Sequence, residues 1–218
     1  MGMVRVLTVD DMTLVRQGIQ HLLKDRDSVE VVGEAADAHE AMEMVQQLDP
    51  DVVLLDQNMP GLATPETITL LKQRSARIEV IVLSETPDPE LAFRAIEAGA
   101  SGYVLKDISP ENLIRAIHGV CNGRTVMHPY ITRQLVDRFR TLMRERAGTP
   151  DGHIGGITGR ELEIIVEMAK GSTDREIAQK TLLAESTVKS HIRSILRKMG
   201  ARNRTQAVAY VLRKGLMR

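Results

Sequence analysis

Four consecutive apolar residues that end in one carboxylate constrain the fold of this chain most strongly. Val52 to Leu55 form a short β-branched and leucine-rich run, and Asp56 follows it directly. Such a run between polar residues is typical of a strand that is buried on both faces of a parallel sheet. Because ligands of open α/β sheets bind just beyond the carboxyl ends of the strands, Asp56 is predicted to lie at the rim of a sheet.

Other apolar runs of the same kind alternate with helical patterns along the first half of the chain. Side chains that can cap a helix stand before proline at Thr64, Asp88 and Ser109, and they predict three helix starts. Five strands that alternate with five helices predict a doubly wound parallel sheet with helices on both faces. The predicted strands are Val4–Val9, Val29–Glu34, Val52–Leu55, Glu79–Leu83 and Gly102–Leu105.

The distribution of charge divides the chain into two modules. Residues 1–124 contain 11 Lys and Arg against 20 Asp and Glu, a net charge of −9, whereas residues 125–218 contain 18 against 9, a net charge of +9. An asymmetry of this size suggests different partners for the two halves, with nucleic acid expected for the basic one. The bland alternative is that both sets of charges only solvate surfaces.

Cysteine content and hydropathy bound the cellular setting. The single cysteine, Cys121, excludes a disulfide within the chain and is predicted to be a small core residue. No apolar run approaches the ~18 residues of a membrane-spanning helix, and no secretory leader pattern opens the chain. The protein is therefore expected to be soluble and cytoplasmic, with no membrane partner.

The second half lacks strand patterns and contains helical ones. A pattern over residues 129–146 fits a connecting helix and a dimer seam equally well, and the glycines and proline of residues 148–156 then predict a linker. Capping boxes at Thr158 and Thr173 predict the first two of four further helices. The second and third of these have the spacing of a helix-turn-helix.

The third helix of this module carries a candidate nucleic-acid surface. Val188, Ile192, Ile195, Leu196 and Met199 share one apolar stripe, and Lys189, Arg193 and Arg197 line another face with Ser186 and Ser190. Basic and hydroxyl side chains on an exposed helix suit the DNA major groove and its phosphates. A solvated basic face is the alternative. RNA is disfavoured because Tyr210 is the only aromatic residue after Phe139, so no stacking platform is present.

Polar side chains follow four of the predicted strands, namely Asp10 with Asp11, Asp56, Ser84 and Lys106. Mg²⁺ prefers one or two carboxylates with further oxygens and water, and Asp11, Asp56 and the backbone carbonyl of Asn58 can supply them, with Asp10 acting through water. The Lys106 ammonium and the Ser84 hydroxyl can contact a phosphoryl group. The rim is therefore predicted to accept phosphate on a carboxylate. The alternative is that Asp10 and Asp11 only cap the following helix.

These segments resemble the receiver domain of bacterial response regulators, a flavodoxin-like fold. The resemblance implies that Asp56 accepts a phosphoryl group from a sensor histidine kinase and that Lys106 contacts the phosphate. It also implies a switch pair, Ser84 and Tyr103. The same resemblance assigns a metal site to Asp10, Asp11, Asp56 and Asn58, the last through its backbone carbonyl. The motifs are Leu7-Thr8-Val9-Asp10-Asp11, Leu54-Leu55-Asp56-Gln57-Asn58-Met59-Pro60-Gly61, Val82-Leu83-Ser84 and Ala98-Gly99-Ala100-Ser101-Gly102-Tyr103-Val104-Leu105-Lys106.

The second half resembles the LuxR-type four-helix output domain, and the two together resemble the NarL/FixJ family. The resemblance implies that Lys189 contacts DNA, with Thr187, Ser190, Arg193 and Arg197 around it, and that a last helix from about Thr205 forms a dimer contact. The motifs are Ile157-Thr158-Gly159-Arg160-Glu161, Met168-Ala169-Lys170-Gly171, Glu176-Ile177-Ala178 and Ser186-Thr187-Val188-Lys189-Ser190-His191. The chain departs from the family at Thr64, often Gly, at Ala184, usually Ser or Thr, and at Thr181, commonly Leu.

The expected domains are a receiver at 3–124, a connecting helix and linker at 125–156, and an all-α helix-turn-helix domain at 157–218. The expected function is a two-component response regulator, not an enzyme, whose phosphorylation switches dimerisation and binding to double-stranded DNA. Expected partners are a histidine kinase, a second copy of the chain and RNA polymerase. One alternative is an atypical regulator that is switched by a ligand or by oligomerisation. An aspartyl-phosphate phosphohydrolase is disfavoured because Asn58 stands where such enzymes carry a second Asp.

Overall fold

The computed structural model describes residues 3–24, 28–134, 157–201, 203–208 and 210. Strands and helices alternate from the first described residues, as the apolar runs predict. The strands are β1 (Val4–Val9), β2 (Val29–Ala35), β3 (Val52–Asp56), β4 (Glu79–Ser84), β5 (Gly102–Leu105) and β6 (Val126–Met127). The helices of this part are α1 (Thr13–Leu23), α2 (Ala38–Leu48), α3 (Thr64–Arg74), α4 (Pro89–Ala98) and α5 (Pro110–Cys121).

All strands of the sheet run parallel, in the order β2-β1-β3-β4-β5-β6. The chain reverses its direction of winding between β1 and β3, which is the place where α/β sheets open a crevice at their carboxyl ends. Asp10 follows β1 and Asp56 ends β3, so both carboxylates reach this crevice. The doubly wound fold is confirmed.

The sheet has six strands where five are predicted. The additional strand, β6, pairs with β5, with Gly102 opposite Val126 and Tyr103 opposite Met127. His128 N–H also donates to the Tyr103 carbonyl at 2.8 Å. Two residues cannot show a period of two, so no sequence pattern marks this strand. It begins within the segment predicted to be a linker.

The helices cover the two faces of the sheet with separate aliphatic cores. One core joins Val53, Leu55 and Val82 to α2, α3 and α4, and the other joins Leu54 and Ile81 to α1 and α5. Every residue of β3 is buried, as expected for a central parallel strand. Cys121, predicted to be a core residue, is exposed instead, because α5 ends there and turns it outward.

Two of the three predicted caps before proline are confirmed. The side chains of Asp88 and Ser109 accept hydrogen bonds from the backbone of Leu91 and Asn112, at the starts of α4 and α5. Thr64 is not a cap, since α3 begins at Thr64 itself and Ala63 occupies the cap position without a side-chain hydrogen bond.

The C-terminal part is helical throughout its described residues. Residues 129–134 form the described part of a helix, α6, and residues 204–208 lie in the last described helix, α10. Both predicted capping boxes, at Thr158 and Thr173, are formed. Between α6 and α10 lie α7 (Gly159–Ala169), α8 (Asp174–Thr181) and α9 (Glu185–Met199). In the part of the chain that the structure describes, no helix is both long and apolar enough to cross a membrane.

The two halves contact each other through apolar and polar groups. Phe93 of α4 and Met127 of β6 pack against the core of the sheet and against the core of α7–α9. Ile131 is fully buried against the sheet, so the start of α6 packs on the first half of the chain. The remainder of the pattern predicted as a connecting helix or dimer seam, from residue 135 onward, lies outside the described residues.

Candidate phosphoacceptor site and nucleic-acid interface

Three carboxylates meet beyond the carboxyl ends of β1 and β3. One oxygen from each of Asp10, Asp11 and Asp56 lies within 4.8 Å of the others. Asp10 and Asp56 are buried and Asp11 is exposed. Three carboxylates this close repel one another, and a hard divalent cation is the group that such a set of oxygen donors fits. The acidic site predicted from strand ends is therefore assembled, while Asn58, predicted to contribute its carbonyl, is exposed beside it.

The two oxygens of Asp56 have different surroundings. Oδ2 accepts a hydrogen bond from the backbone N–H of Asn58 at 3.1 Å. Oδ1 is buried and has no hydrogen bond from any described residue, although Lys106 Nζ lies 3.0 Å away as an ion pair. The Asn58 backbone therefore holds Oδ2, whereas Oδ1 faces the Lys106 ammonium.

Lys106 neutralises part of the acidic site. Lys106 is the residue directly after β5. Its ammonium lies 2.8 Å from Asp10 Oδ2 and 3.0 Å from Asp56 Oδ1. Partial burial acts to lower the pKa of Lys106, but the interactions with Asp10 and Asp56 outweigh it and raise the pKa above its ordinary value. Lys106 therefore stays cationic and can pair with an added anionic group at this rim.

The hydroxyl groups of Ser84 and Tyr103 meet at one backbone carbonyl. Ser84 Oγ donates to the Thr86 carbonyl at 2.6 Å, and Tyr103 Oη lies 3.3 Å from the same oxygen. Both residues are fully buried, and burial raises the pKa of Tyr103. The predicted switch pair is therefore brought together, but the Ser84 hydroxyl is bonded to its own loop.

Three further residues of this site were missed by sequence reasoning. Gln57 accepts a hydrogen bond from Tyr103 Oη through its side-chain oxygen at 2.6 Å, and Thr86 supplies the shared carbonyl. Thr64 donates from its hydroxyl to the Gln57 carbonyl at 2.5 Å. The position of Gln57 directly after the strand-end acid was the available signal for its role, whereas the contacts of Thr64 and Thr86 depend on loop conformation.

The predicted nucleic-acid surface lies on α9. Lys189, Ser190, Arg193 and Arg197 are exposed and Thr187 is half-buried, while Val188, Ile195 and Met199 are buried on the opposite side. Lys189 Nζ lies 2.9 Å from Glu185 Oε1, which lowers the pKa of Glu185 and raises that of Lys189. Ala184 caps α9 without a side-chain hydrogen bond, as its apolar side chain predicts.

A buried carboxylate paired with a more exposed lysine joins α9 to α7. Glu161 is only 3% exposed, and its carboxylate accepts hydrogen bonds from Lys198 Nζ at 2.7 and 2.8 Å and from Ser194 Oγ at 3.1 Å. Burial opposes ionisation, yet the hydrogen bonds, that from Lys198 foremost, lower the pKa of Glu161 to about 2. The basic face of α9 is therefore held by a charge that persists at all physiological pH values.

Part of α9 faces the sheet-containing half of the chain. Lys189, Ile192 and Leu196 line a cleft of about 690 Å³ together with residues 122–124, which form the turn after α5. Arg193 and Arg197 do not line this cleft. In this arrangement a duplex that approached Lys189 would meet the turn at residues 122–124.

Two families match the two halves of the chain. The family described as "Response regulator receiver domain" matches residues 6–118. The family described as "Bacterial regulatory proteins, luxR family" matches residues 156–211. The first contains the acidic site and the second contains α7, α8 and α9.

Two known bacterial regulators align with nearly the whole chain, and a solved structure aligns with part of it. The chain is 33% identical to the transcriptional regulatory protein LnrK of Bacillus subtilis strain 168, over 98% of this chain and 99% of that protein. It is 34% identical to the nitrate/nitrite response regulator protein NarL of Escherichia coli strain K12, over 94% of both. A solved two-component response regulator of the LuxR family from Aurantimonas sp. SI85-9A1 aligns with a TM-score of 0.59 and 34% identity, over 62% of this chain and 97% of that one.

Proposed function

This chain belongs to the NarL/FixJ family of two-component response regulators, and we propose that phosphorylation of Asp56 is the event that switches its binding to DNA. Members of this family are transcription regulators and not enzymes; they pair with histidine kinases and bind DNA. Asp56 as the acceptor and α9 as the DNA-reading helix are the parts that we add.

The observation that carries the proposal is the state of Asp56 Oδ1. This oxygen is buried at the end of β3, lies 3.0 Å from Lys106 Nζ and has no hydrogen bond from a described residue. Oδ1 would form a bond to phosphorus as the phosphorus–nitrogen bond of the kinase phosphohistidine breaks. Lys106 would then pair with an oxygen of the phosphoryl group, which adds negative charge where the ammonium already lies.

Asp10, Asp11 and Asp56 would hold Mg²⁺, with the carbonyl of Asn58 as a further oxygen donor. The fit rests on the three carboxylate oxygens within 4.8 Å of one another, two of them on buried residues. Bound Mg²⁺ would neutralise the carboxylates, so that an anionic phosphodonor can approach. The Lys106 ammonium supplies one positive charge against three negative ones.

A path for the switch leads from Asp56 to the contact between the two halves. To reach a phosphoryl group, the Ser84 hydroxyl would leave the Thr86 carbonyl, which Tyr103 also contacts. The Tyr103 backbone pairs with β6, and Met127 of β6 packs on the core of α7–α9. Rearrangement at Tyr103 would therefore bias the contact that places the turn at residues 122–124 against Lys189.

Release of this contact would free the basic face of α9 for the major groove. Lys189, Arg193 and Arg197 would contact bases and phosphates, with Thr187 and Ser190 beside them. A homodimer that reads two half-sites about one DNA turn apart is the expected assembly. Contact with RNA polymerase and a cytoplasmic location follow as expectations from the role of a DNA-binding regulator.

Intact-mass spectrometry tests the acceptor directly. The chain is incubated with Mg²⁺ and acetyl phosphate beside Asp56→Asn, with Asp107→Asn as the matched control, because Asp107 is an exposed acid next to Lys106 outside the acidic site. One phosphoryl adduct on the wild type and on the control, and none on Asp56→Asn, is the expected result. No adduct with any donor or metal would favour an atypical regulator that a ligand or oligomerisation switches.

A further inference from the structure

Arg204 of α10 carries buried polar atoms that no described residue satisfies. Its side chain is 11% exposed, and both Nε and Nη2 are buried without a hydrogen-bond partner in the described part of the chain. The nearest acid is Asp174, whose Oδ1 lies 3.4 Å from Nη2 without hydrogen-bond geometry. A buried guanidinium with two unused donors is costly, and such groups are normally satisfied by a carboxylate, water or a bound anion.

The electrostatic surroundings of Arg204 increase this cost. Burial lowers the pKa of Arg204 and nearby Arg124 lowers it further, while Asp174 alone acts in the opposite direction. Arg124 belongs to the turn after α5, so a cation of the receiver faces a cation of the output domain. The contact between the halves is thus positively charged where it should be most sensitive to a counter-ion.

Both arginines line the cleft of about 690 Å³ that was described beside α9. Its volume falls within the range of sites for small molecules. Among the described residues, four cations and two acids line it, a net charge of +2, and Ile192 and Leu196 form an apolar wall. The cations are Arg124, Arg175, Lys189 and Arg204, and the acids are Asp174 and Glu185.

The two Arg204 nitrogens without hydrogen bonds have the geometry of an oxyanion receptor, although Nη2 also lies 3.4 Å from Asp174 Oδ1 as an ion pair. Nε and Nη2 form one edge of the guanidinium, and two N–H groups on one edge bind two oxygens of a phosphate or carboxylate side by side. Lys189 and Arg124 can add charge from α9 and from the receiver. We propose that this interdomain cleft binds a small molecule bearing a diphosphate group, which bridges Arg124 of the receiver to Arg204 and Lys189 of the output domain.

A bridging anion would act on the same contact as phosphorylation but in the opposite direction. It would screen the repulsion between Arg124 and Arg204 and form an ion pair with the Lys189 ammonium. The two halves would therefore stay together, and α9 would be kept from DNA. This control goes beyond the phosphorylation switch, because it needs neither Asp56 nor a kinase. It would let a metabolite level set the threshold for a stimulus.

Titration calorimetry on the full chain tests the site. The probes are inorganic pyrophosphate and ADP in magnesium-free buffer, with ionic strength held constant by sodium chloride so that screening does not change. Arg124→Ala and Arg204→Gln remove the bridging charges, and Arg124 is exposed, so its loss should not affect folding. Arg77→Ala is the matched control, because Arg77 is an exposed arginine that pairs with Asp49 and does not line the cleft.

The expected result is saturable one-to-one binding that weakens about tenfold or more in Arg124→Ala and Arg204→Gln and is unchanged in Arg77→Ala. Tighter binding of ADP than of pyrophosphate would identify a nucleotide as the source of the diphosphate, and equal binding would identify the inorganic ion. Binding that does not saturate, or that persists equally in Arg124→Ala, would overturn the proposal. Because no DNA or phosphodonor is present, these outcomes are independent of the acceptor role of Asp56.

Discussion

The hydroxyl groups of Thr125 and Thr205 lie 3.0 Å apart in a hydrogen bond that joins the receiver to the output domain. Both residues are buried, at 4% and 1% exposure, so water does not compete for this bond. One threonine directly precedes β6 and the other lies in α10, near the arginine of the interdomain cleft. The bond, which we call the interdomain lock, therefore helps to hold the arrangement that places residues 122–124 against α9.

Removing one hydroxyl of this pair should weaken the lock more than removing both. Thr125→Val or Thr205→Val leaves the remaining hydroxyl buried without a partner, at a cost of about 1–3 kcal/mol, whereas the double valine variant keeps the shape and is nearly neutral. We expect each single variant to raise the DNA affinity of the unphosphorylated chain several-fold, and the double variant to return towards the wild type. Fluorescence anisotropy with a labelled duplex measures this, and equal affinities in all four proteins would show that the pair does not restrain α9.

Leu14 should matter for the kinase and not for the chemistry. Leu14 is 78% exposed and Met12 is 52% exposed, next to the acidic site, and such an apolar pair suits a protein partner. We expect Leu14→Ser to slow phosphotransfer from the histidine kinase that labels the wild-type chain fastest, by about tenfold, while labelling by acetyl phosphate is unchanged. Leu22→Ser, on an exposed leucine at the other end of α1, is the control. Equal losses with both donors would point to damage at the acidic site instead.

Arg193 should contribute one phosphate contact. It is exposed on α9 and lies outside the interdomain cleft. Arg193→Ala is expected to reduce the slope of log affinity against log salt by about 0.9 for a duplex of arbitrary sequence. Lys180→Ala serves as the control, since Lys180 of α8 is paired with Glu167 of α7 and its loss should leave the slope unchanged. An unaltered slope in Arg193→Ala would remove this residue from the interface.

The Glu161–Lys198 pair should make the output domain sensitive to acid. Because the folded pKa of Glu161 is lowered to about 2, the stabilisation from its charge is complete above the ordinary pKa of 4.5 and is lost as the pH falls towards 2. Glu161→Gln should cost about 1–3 kcal/mol at pH 7, since it removes the charge-assisted hydrogen bonds of a buried carboxylate. Urea unfolding gives this difference at each pH, and it should shrink below pH 4.5. Glu163→Gln, which breaks an exposed pair with Arg160, should change stability by less than about 1 kcal/mol at any pH.

Leu182 offers a stabilising substitution. It ends α8 in the left-handed region, with φ 54°, and is 91% exposed, so it gains no packing for the strain. Leu182→Gly should stabilise the output domain by about 0.5–1 kcal/mol, because the relief of strain exceeds the added entropy of the unfolded chain. Leu182→Ala keeps the strain and is the control. A gain in the melting temperature of the alanine variant equal to that of the glycine variant would contradict this explanation.

The residues of the acidic site could be predicted because their positions follow from one rule. Asp10, Asp56 and Lys106 each come directly after, or end, an apolar run, and the carboxyl ends of parallel strands share one rim. The receiver resemblance added Tyr103, which lies inside β5 and carries no such signal. The exposed face of α9 could also be predicted, because the helical repeat turns Val188 to the apolar face and Lys189 to another face.

Loop conformation and tertiary pairing account for what could not be predicted. Thr64 precedes Pro65 and is therefore predicted to cap α3. Instead its hydroxyl donates to the Gln57 carbonyl, and α3 begins at Thr64, one residue before the predicted start. β6 forms because its backbone pairs with the edge of β5, and not because Val126 and Met127 alone favour a strand. Cys121 lies in an amphipathic pattern, yet the last turn of α5 exposes it. The cleft at Arg204 depends on how the two halves meet, which no local pattern encodes.

The sixth strand also changes what counts as a complete receiver. Without Val126 and Met127, the backbone groups of Gly102 and Tyr103 that face β6 would become an open sheet edge, ready to pair with another chain. A receiver cut at residue 124, where the charge and the helical pattern both suggest a boundary, would lose this cover together with the buried Ile131. Residues 126–131 therefore pack on the receiver sheet, and Met127 of this segment also contacts the core of the output domain.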